Sequence, residues 1–259
     1  SQQPETQPTD SLETVWTIVV AGGSGRRFGG RKQYQTLGSQ RVLDWSVAAA
    51  RAAGEGVVVV VPADDAAREH GVAGGATRAE SVRAGLAQVP AAATIVCVHD
   101  GARPFADAAV FRRVIAAVAA GADGAIPGVP VTDTIKQVDA TGAVAHTPDR
   151  SSLTAVQTPQ AFRATVLRSA HAANGPLRDS ATDDAALVEA AGGRIVVVAG
   201  DPANRKITDL DDLAWARRRV QPAQEPAMQV PTIRVGQGFD IHRFSDDPTR
   251  PLVLGGAVF

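Results

Sequence analysis

Residues 17–34 read Thr17-Ile-Val-Val-Ala-Gly-Gly-Ser-Gly-Arg-Arg-Phe-Gly-Gly-Arg-Lys-Gln-Tyr34. A short apolar run is followed here by a glycine cluster and four cationic side chains. An apolar run of this length is typical of a buried strand. Backbone N–H groups in a glycine-rich loop, with positive charge close by, bind chains of phosphates. The stretch therefore predicts a strand that ends at an anion-binding loop.

Two common phosphate-binding motifs do not fit this loop. The P-loop pattern requires a lysine directly after its second glycine, but Arg31 follows Gly30. The dinucleotide-binding pattern places Phe28 where its third glycine should be. The loop therefore has neither the P-loop motif nor the dinucleotide-binding motif.

The rest of the chain alternates short β-branched apolar runs with amphipathic stretches, which predicts an α/β fold with a mostly parallel, Rossmann-like sheet covered by helices. Such sheets bind ligands at the carboxyl ends of their strands, and polar clusters follow Val20 and Val98. The predicted strands are 17–21, 57–61, 94–99, 124–129 and 194–199. The predicted helices are 43–53, 78–88, 107–120, 163–173, 183–191 and 210–220.

Residues 132–150 interrupt this alternation. Two extended segments, 134–138 and 143–147, flank the loop Asp139-Ala-Thr-Gly142, and this pattern predicts a β-hairpin that projects as an arm. A hairpin at the edge of the sheet and a dimerisation arm both fit these residues.

Composition narrows the class of protein. The net charge is −1, so the sequence indicates neither a nucleic-acid-binding nor a membrane-binding surface, and no apolar run reaches membrane-spanning length. Cys97 is the single cysteine and lies in an apolar run, which fits a buried thiol and a cytoplasmic protein. Residues 1–13 are polar and lack the features of a signal peptide, so we expect a disordered tail.

Lysine is rare in this chain. Among 26 basic residues only Lys32, Lys136 and Lys206 are lysines. Because arginine occupies almost every other basic position, these three are candidates for sites that need a compact, mobile charge.

Several separate segments together resemble one family across residues 15–220, the 2-C-methyl-D-erythritol 4-phosphate cytidylyltransferases of the nucleotidyltransferase superfamily. No single segment would be specific, but their joint order is. The segments are 21–27 (AGGSGRR), 32–34 (KQY), 77–82 (TRAESV), 98–104 (VHDGARP), 131–136 (VTDTIK), 146–150 (HTPDR), 157–160 (QTPQ), 182–184 (TDD) and 204–208 (NRKIT).

The resemblance implies transfer of a cytidylyl group from CTP to methylerythritol phosphate, with release of pyrophosphate. Such a reaction needs positioning and charge neutralisation more than covalent catalysis. By the resemblance, the catalytic side chains are those of Arg27, Lys32, Lys206 and Arg150.

The resemblance also assigns binding residues. The cytosine nucleotide is expected at a group of small residues and one hydroxyl, namely Ala21, Gly22, Gly23, Gly25, Gly75, Ala76 and Ser81. Asp100 is expected to hold Mg²⁺ with the nucleotide, although its position also fits a helix cap. Asp100 and Arg103 are expected at the substrate. Thr134 and Arg150 are expected to reach the substrate of a neighbouring subunit, as in a homodimer.

Residues 221–231 contain three prolines without apolar periodicity, which predicts a linker between the domain 14–220 and the segment 232–259. The segment resembles the opening of 2-C-methyl-D-erythritol 2,4-cyclodiphosphate synthase. There, Asp240 and His242 would supply two ligands of a divalent metal such as Zn²⁺. Because the chain stops at Phe259, we expect a truncated piece of a bifunctional protein with an incomplete metal site.

Two other functions stay open at this point. A ribitol-5-phosphate cytidylyltransferase would have similar motifs, because its substrate is also a polyol phosphate. A regulatory module could keep the nucleotide cleft without the chemistry. The cyclase-like segment favours the isoprenoid enzyme, and the joint presence of Arg27, Lys32, Asp100 and Lys206 argues against an inactive module.

Overall fold

The computed structural model describes residues 13–23, 28–173 and 179–221, together with 246–247, 249–251, 253–254 and 257–258. The chain divides into two compact units, and the boundary falls between Gln221 and Pro222. Across these described stretches, no helix has the length and apolar character needed to span a bilayer.

The first unit is an α/β domain. Its strands, within the described residues, are β1 Val15–Val20, β2 Thr36–Leu37, β3 Gln40–Arg41, β4 Gly56–Val61, β5 Val72–Ala73, β6 Ile95–Asp100, β7 Gly124–Pro130, β8 Gln137–Val138, β9 Val144–His146, β10 Thr154–Val156, β11 Gln160–Arg163 and β12 Ile195–Ala199. Its helices are α1 Val42–Arg51, α2 Arg78–Leu86, α3 Ala108–Ala119, α4 Ala164–Ala172, α5 Asp184–Ala190 and α6 Leu210–Val220. In the second unit, β13 Val253–Leu254 and β14 Ala257–Val258 pair antiparallel.

The main sheet has the strand order β5-β4-β1-β6-β11-β7, and both β10 and β12 pair with β7. The β5–β4, β4–β1, β1–β6 and β7–β12 pairs are parallel. This confirms the mostly parallel sheet that the sequence predicts. The antiparallel strand β11 lies between β6 and β7 and was not predicted, because Gln160-Ala-Phe-Arg163 has polar residues at both ends. The predicted helix 163–173 begins one residue later, since Arg163 belongs to this strand.

The middle of the sheet is buried on both faces, which explains why β1 and β6 are mostly apolar. On one face, Ile18 of β1 packs in a cluster with Leu86 of α2 and Leu167 of α4. On the other face, the next residue, Val19, packs with Leu43 and Phe111. Side chains on successive strand residues point to opposite faces, so one strand supplies both cores.

The carboxyl ends of β1 and β6 lie side by side. Val20 is the register partner of Asp100, and Val60 of β4 is the partner of Val20 on the other side. The loops that follow these strands therefore meet at one edge of the sheet.

The predicted hairpin is present as β8 and β9, both shorter than the predicted segments. Its turn is closed locally. The N–H of Asp139 donates to the carbonyl of Ala143 at 2.9 Å, and Gly142 has φ +85°, a conformation that favours glycine. Residues 132–147 are exposed along almost their whole length, so the hairpin has no core of its own.

Candidate active site

A cleft of about 640 Å³ opens at the carboxyl ends of β1 and β6. It brings together residues that are far apart in the sequence and that sequence analysis selected. The cleft is lined by Ala21, Gly22, Gly23, Lys32, Gly75, Ala76, Ser81, Asp100 and Lys206, together with Val20, Gln33, Thr77, Arg78, Gly101 and Ala102.

The loop after β1 is fixed by a buried glutamine. Gln33 donates its side-chain amide to the carbonyl of Ala21 at 3.0 Å, and the N–H of Ala21 donates to the carbonyl of Val60 at 2.7 Å. The neighbouring Lys32 begins a short 3₁₀ helix and donates its Nζ to the carbonyl of Ile207 at 2.7 Å. The lysine after the glycine cluster is thereby held against the loop that carries Lys206.

Arg31 does not line the cleft. Its guanidinium forms ion pairs with Asp64 and Asp65, which follow β4. Tyr34 also donates to Asp65 at 2.9 Å, and burial together with this carboxylate raises the pKa of Tyr34 to about 12. Arg31 and Tyr34 therefore anchor this part of the loop to the body of the domain.

The opposite wall is the N-terminus of α2. Thr77 and Glu80 form a reciprocal capping box, with side-chain to backbone hydrogen bonds of 3.1 and 3.0 Å. The Ser81 hydroxyl accepts from the N–H of Gly75 at 3.2 Å and donates to the carbonyl of Thr77 at 3.0 Å. A Cβ on Gly75 would lie only 2.3 Å from the Cβ of Glu80, so this close approach requires glycine. The wall therefore presents backbone groups and one hydroxyl to the cleft.

Asp100 lies at the floor of the cleft among three cations. Its Oδ2 is 2.8 Å from Lys206 Nζ and 3.7 Å from Arg103 Nε, and its Oδ1 is 3.8 Å from Arg78 Nε. Burial would raise the pKa of Asp100, but the charges of Lys206, Arg78 and Arg103 hold this pKa well below its usual range. Asp100 is therefore an ionised carboxylate in a cationic site.

The alternative interpretation of Asp100 as a helix cap is wrong. The N-cap of α3 is Asp107, which accepts from the N–H of Val110 at 2.9 Å. Neighbouring His99 is fully buried, and its Nδ1 lies 3.0 Å from Thr158 Oγ1. Burial lowers the pKa of His99 to about 4, so the ring is neutral at physiological pH and packs below the cleft.

Lys206 lies on a loop that is fastened on both sides. Before it, Asn204 donates its side-chain amide to the carbonyl of Thr158 at 2.8 Å. After it, the N–H of Thr208 donates to Asp212 of α6 at 2.8 Å. These contacts, with the bond from Lys32 to Ile207, bring a lysine from the end of the domain's sequence to the same cleft as the lysine from its beginning.

Arg103 lines a neighbouring cavity of about 590 Å³ and shares it with Lys206. The Arg103 guanidinium donates to the carbonyl of Asn204 at 2.8 Å. This cavity adjoins the cleft through Lys206 and contains Thr132 at the base of the arm. It offers a second compartment beside the first.

The arm residues lie elsewhere. Arg150 donates to the carbonyl of Thr132 at 2.8 Å and lines a third cavity of about 1060 Å³. Thr134 is exposed and lines none of these three cavities. The remaining predicted residues, Gly25, Arg27, Asp240 and His242, lie outside the described residues.

Arg78 lines the cleft, and sequence analysis assigned no role to it. It is the first residue of α2, and its Nη1 donates to Asp184 Oδ2 at 2.7 Å. Burial would lower the pKa of Arg78, but the carboxylates of Asp184 and Asp100 raise it overall. The available signal was its place in the helix, because a cation at a helix N-terminus is electrostatically unfavourable and needs another reason to be there.

Asp100 is the one carboxylate among the described residues that line the cleft. Within the described part of the chain, no group of three or more His, Cys, Asp or Glu side chains could hold a metal. Mg²⁺ is commonly bound by one or two carboxylates, substrate phosphates and water. The residues present therefore fit a Mg²⁺ ion that arrives with a nucleotide, and they do not fit an all-protein metal site.

The fold and the cleft define a nucleotide-binding α/β protein of the nucleotidyltransferase type. The family model for 2-C-methyl-D-erythritol 4-phosphate cytidylyltransferase matches residues 15–221, and the chain belongs to this family.

Two solved structures are similar to the chain. The 2-C-methyl-D-erythritol 4-phosphate cytidylyltransferase of Thermus thermophilus has a TM-score of 0.67 and 34% identity, and the match covers 80% of this chain and 98% of that one. The 4-diphosphocytidyl-2C-methyl-D-erythritol synthase of Anaerococcus prevotii has a TM-score of 0.70 and 27% identity, covering 81% and 99%.

A curated relative, the bifunctional enzyme IspD/IspF of Anaeromyxobacter dehalogenans, is 46% identical to the chain. The match covers 95% of this chain and 64% of the relative. The chain therefore spans less than two thirds of the length of that protein.

Proposed function

We propose that the chain transfers the cytidylyl group of CTP to 2-C-methyl-D-erythritol 4-phosphate, giving 4-diphosphocytidyl-2-C-methyl-D-erythritol and pyrophosphate. The observation that carries this proposal is the convergence of Lys32, Asp100 and Lys206 on one cleft. Family membership supplies the substrates, and the cleft supplies charges suited to phosphoryl chemistry.

The reaction forms a bond between an oxygen of the substrate phosphate and the α-phosphorus of CTP. It breaks the bond from that phosphorus to the bridging oxygen of the β-phosphate, and pyrophosphate leaves with the electron pair. Negative charge develops on the oxygens around the reacting phosphorus, and preorganised cations stabilise it. Lys32 and Lys206 come from opposite ends of the domain's sequence and both line the cleft, so together they can contact this group. Arg27 is proposed to join them.

The nucleotide is proposed to lie along the two loop walls. Backbone groups of Ala21, Gly22, Gly75 and Ala76 would contact the cytosine, together with the Ser81 hydroxyl, and Gly23 would contact the rest of the nucleotide. Asp100 would hold Mg²⁺, which neutralises phosphate charge when it is bound. The second compartment, with Arg103, would receive the methylerythritol phosphate, because the fork of an arginine binds phosphate in bidentate fashion.

We also propose that the active form is a homodimer in which the arm of one subunit reaches the site of the other. Ile135, Val138 and Val144 are apolar and exposed on an arm that lacks a core. Within the described chain, Thr134 does not reach the cleft, so a substrate role for it requires a second subunit. Arg150 would act in the same way. Cytoplasmic location stays a prediction.

For a longer protein that contains this chain, we propose a second, cyclodiphosphate synthase activity. The resemblance of residues 232–259 and the name of the bifunctional relative support it. A cyclisation assay of such a longer protein, with and without Zn²⁺, tests this proposal.

Pyrophosphate release measured with CTP and Mg²⁺ tests the main proposal. Three reactions should be compared, with methylerythritol phosphate, with ribitol 5-phosphate and with no acceptor. We expect release only with methylerythritol phosphate. Release with ribitol 5-phosphate alone would assign the other cytidylyltransferase activity, and no release with either acceptor would favour an inactive nucleotide-binding module.

A further inference from the structure

A chain of three polar side chains, of which His171 and Asp184 are buried and Arg78 is partly exposed, runs from α4 to the floor of the cleft. His171 Nε2 lies 2.9 Å from Asp184 Oδ1, and Asp184 Oδ2 accepts from Arg78 at 2.7 Å. Because an ionised carboxylate can only accept, Nε2 of His171 carries the proton of this bond. At the other end of this chain of side chains, the Nε of Arg78 lies 3.8 Å from the Oδ1 of Asp100.

The stability of the fold does not by itself explain why His171, Asp184 and Arg78 are linked in this way. Asp184 is fully buried, and His171 is nearly so. Burying a charged carboxylate and an arginine is unfavourable unless both are well paired, and an apolar pair of similar volume often stabilises a fold equally well. The N-terminus of α2 already has its own cap in Thr77 and Glu80, so Arg78 is not needed to start the helix.

The two oxygens of Asp100 have different surroundings. Oδ2 faces Lys206 at 2.8 Å and Arg103 at 3.7 Å, and both cations are proposed to contact substrate phosphates. Oδ1 faces Arg78, which is tied to Asp184 inside the domain. Two cations that are proposed to meet the substrates therefore flank Oδ2, and an arginine that is tied to the buried Asp184 flanks Oδ1.

We propose that Arg78, held by Asp184 and His171, is a positioning residue that fixes the orientation of the Asp100 carboxylate for cytidylyl transfer. The proposal rests on the proposed function of this cleft. When the anionic nucleotide enters, Lys206 can turn from Asp100 to a phosphate oxygen. Arg78 cannot follow it, because Asp184 retains it, so Asp100 keeps one defined oxygen towards the cleft.

Three variants and one control test this role. Asp184→Asn removes the anchor but keeps Arg78. Arg78→Met leaves the buried Asp184 carboxylate with His171 but without its arginine partner, so this variant is expected to lose stability. The double variant Arg78→Met/Asp184→Asn leaves neither buried charge and should regain most of that stability. Asp179→Asn is the control, since Asp179 pairs with Arg83, another arginine of α2, on the surface.

We expect kcat to fall about 10- to 100-fold in Asp184→Asn and in the double variant, as for other residues that orient a metal-binding carboxylate. The KM for CTP should change less than about threefold, and Asp179→Asn should behave as the wild type. Thermal unfolding should show that the double variant is more stable than Arg78→Met.

Recovery of kcat together with stability in the double variant would overturn the proposal, because it would show a purely structural role. A rise in KM with unchanged kcat would overturn it as well, because Arg78 would then bind the nucleotide directly.

Calorimetric titration with CTP, with and without Mg²⁺, gives a readout that does not need turnover. The gain in CTP affinity that Mg²⁺ brings should shrink about tenfold in the double variant, because Asp100 is no longer oriented. An unchanged gain would contradict the proposal. Absence of pyrophosphate release by the wild-type protein would instead contradict the proposed function, and the calorimetric comparison would still decide the role of Arg78.

Discussion

The cleft and the arm are built in opposite ways. The cleft gathers side chains from distant stretches, and buried hydrogen bonds such as Gln33 to Ala21 fix them. The arm is held by contacts between near neighbours in the sequence, such as Lys136 to Thr147 at 2.8 Å. Asp100 in the cleft is 8% exposed, whereas Val138 on the arm is 55% exposed.

This difference indicates what fixes the conformation of each region. A buried polar group is stable only with its partners in place, so the cleft is specified by the fold of one subunit. The exposed apolar side chains of the hairpin gain no burial within one subunit. They are consistent with a surface that a second subunit covers. Thiol reactivity, turnover and association each test this contrast.

The largest expected difference is in thiol reactivity. Cys97 lies on β6 below the cleft, and burial raises its pKa to about 12. A cysteine placed on the arm by Val138→Cys, in a Cys97→Ala background, would be exposed. The thiolate is the reactive form, and the pKa of Cys97 lies about three pH units above that of an exposed thiol. We therefore expect Cys97 to react with a disulfide reagent about 10³-fold more slowly at pH 8 than the cysteine introduced at position 138. Rates followed by absorbance test this, and similar rates would show that the region below the cleft opens readily.

The next largest effect concerns the three lysines. Lys206→Met and Lys32→Met should each lower kcat/KM for the transfer about 10²-fold or more, because each removes a cation from the developing phosphate charge. Lys136→Met, on the arm, is the matched control. It should retain activity within about threefold, because its partner Thr147 is exposed. Equal losses in all three variants would remove the distinction between cleft and arm.

The smallest of these effects is on association. Val138→Asp together with Val144→Asp should raise the dimer dissociation constant at least about tenfold, since about 1.4 kcal/mol is enough for that change. The free energy of unfolding of the monomer should stay within about 0.5 kcal/mol, as for other exposed sites. Leu210→Asp, an exposed apolar position on α6, is the control. Sedimentation measured over a range of dilutions gives the constant, and full activity in a demonstrated monomer would contradict the role of the arm.

The sequence predicted the five long strands because each is a short, mainly apolar run, and those of β1, β4 and β6 supply buried side chains to both cores. It did not predict β11, whose buried Gln160 donates its side-chain amide to Asp183 at 2.9 Å. That bond joins residues 23 positions apart and leaves no periodic signal.

The cleft residues were predictable from family motifs, since Lys32, Asp100 and Lys206 each lie in a recognisable segment. Arg78 was not, because its role depends on Asp184, 106 residues later in the chain. A single sequence shows both residues but not their contact. In the proposed dimer, the positions of Thr134 and Arg150 relative to the substrate would depend on a second subunit, so one chain would not determine them.

The most direct test of the central claim is a crystal structure of the protein with CTP and Mg²⁺. We predict that the Nζ atoms of Lys32 and Lys206 both lie within about 3.2 Å of oxygens on the triphosphate, and that Asp100 contacts the metal. A triphosphate bound away from this cleft, or a Lys206 that stays paired with Asp100 while the nucleotide is bound, would contradict it.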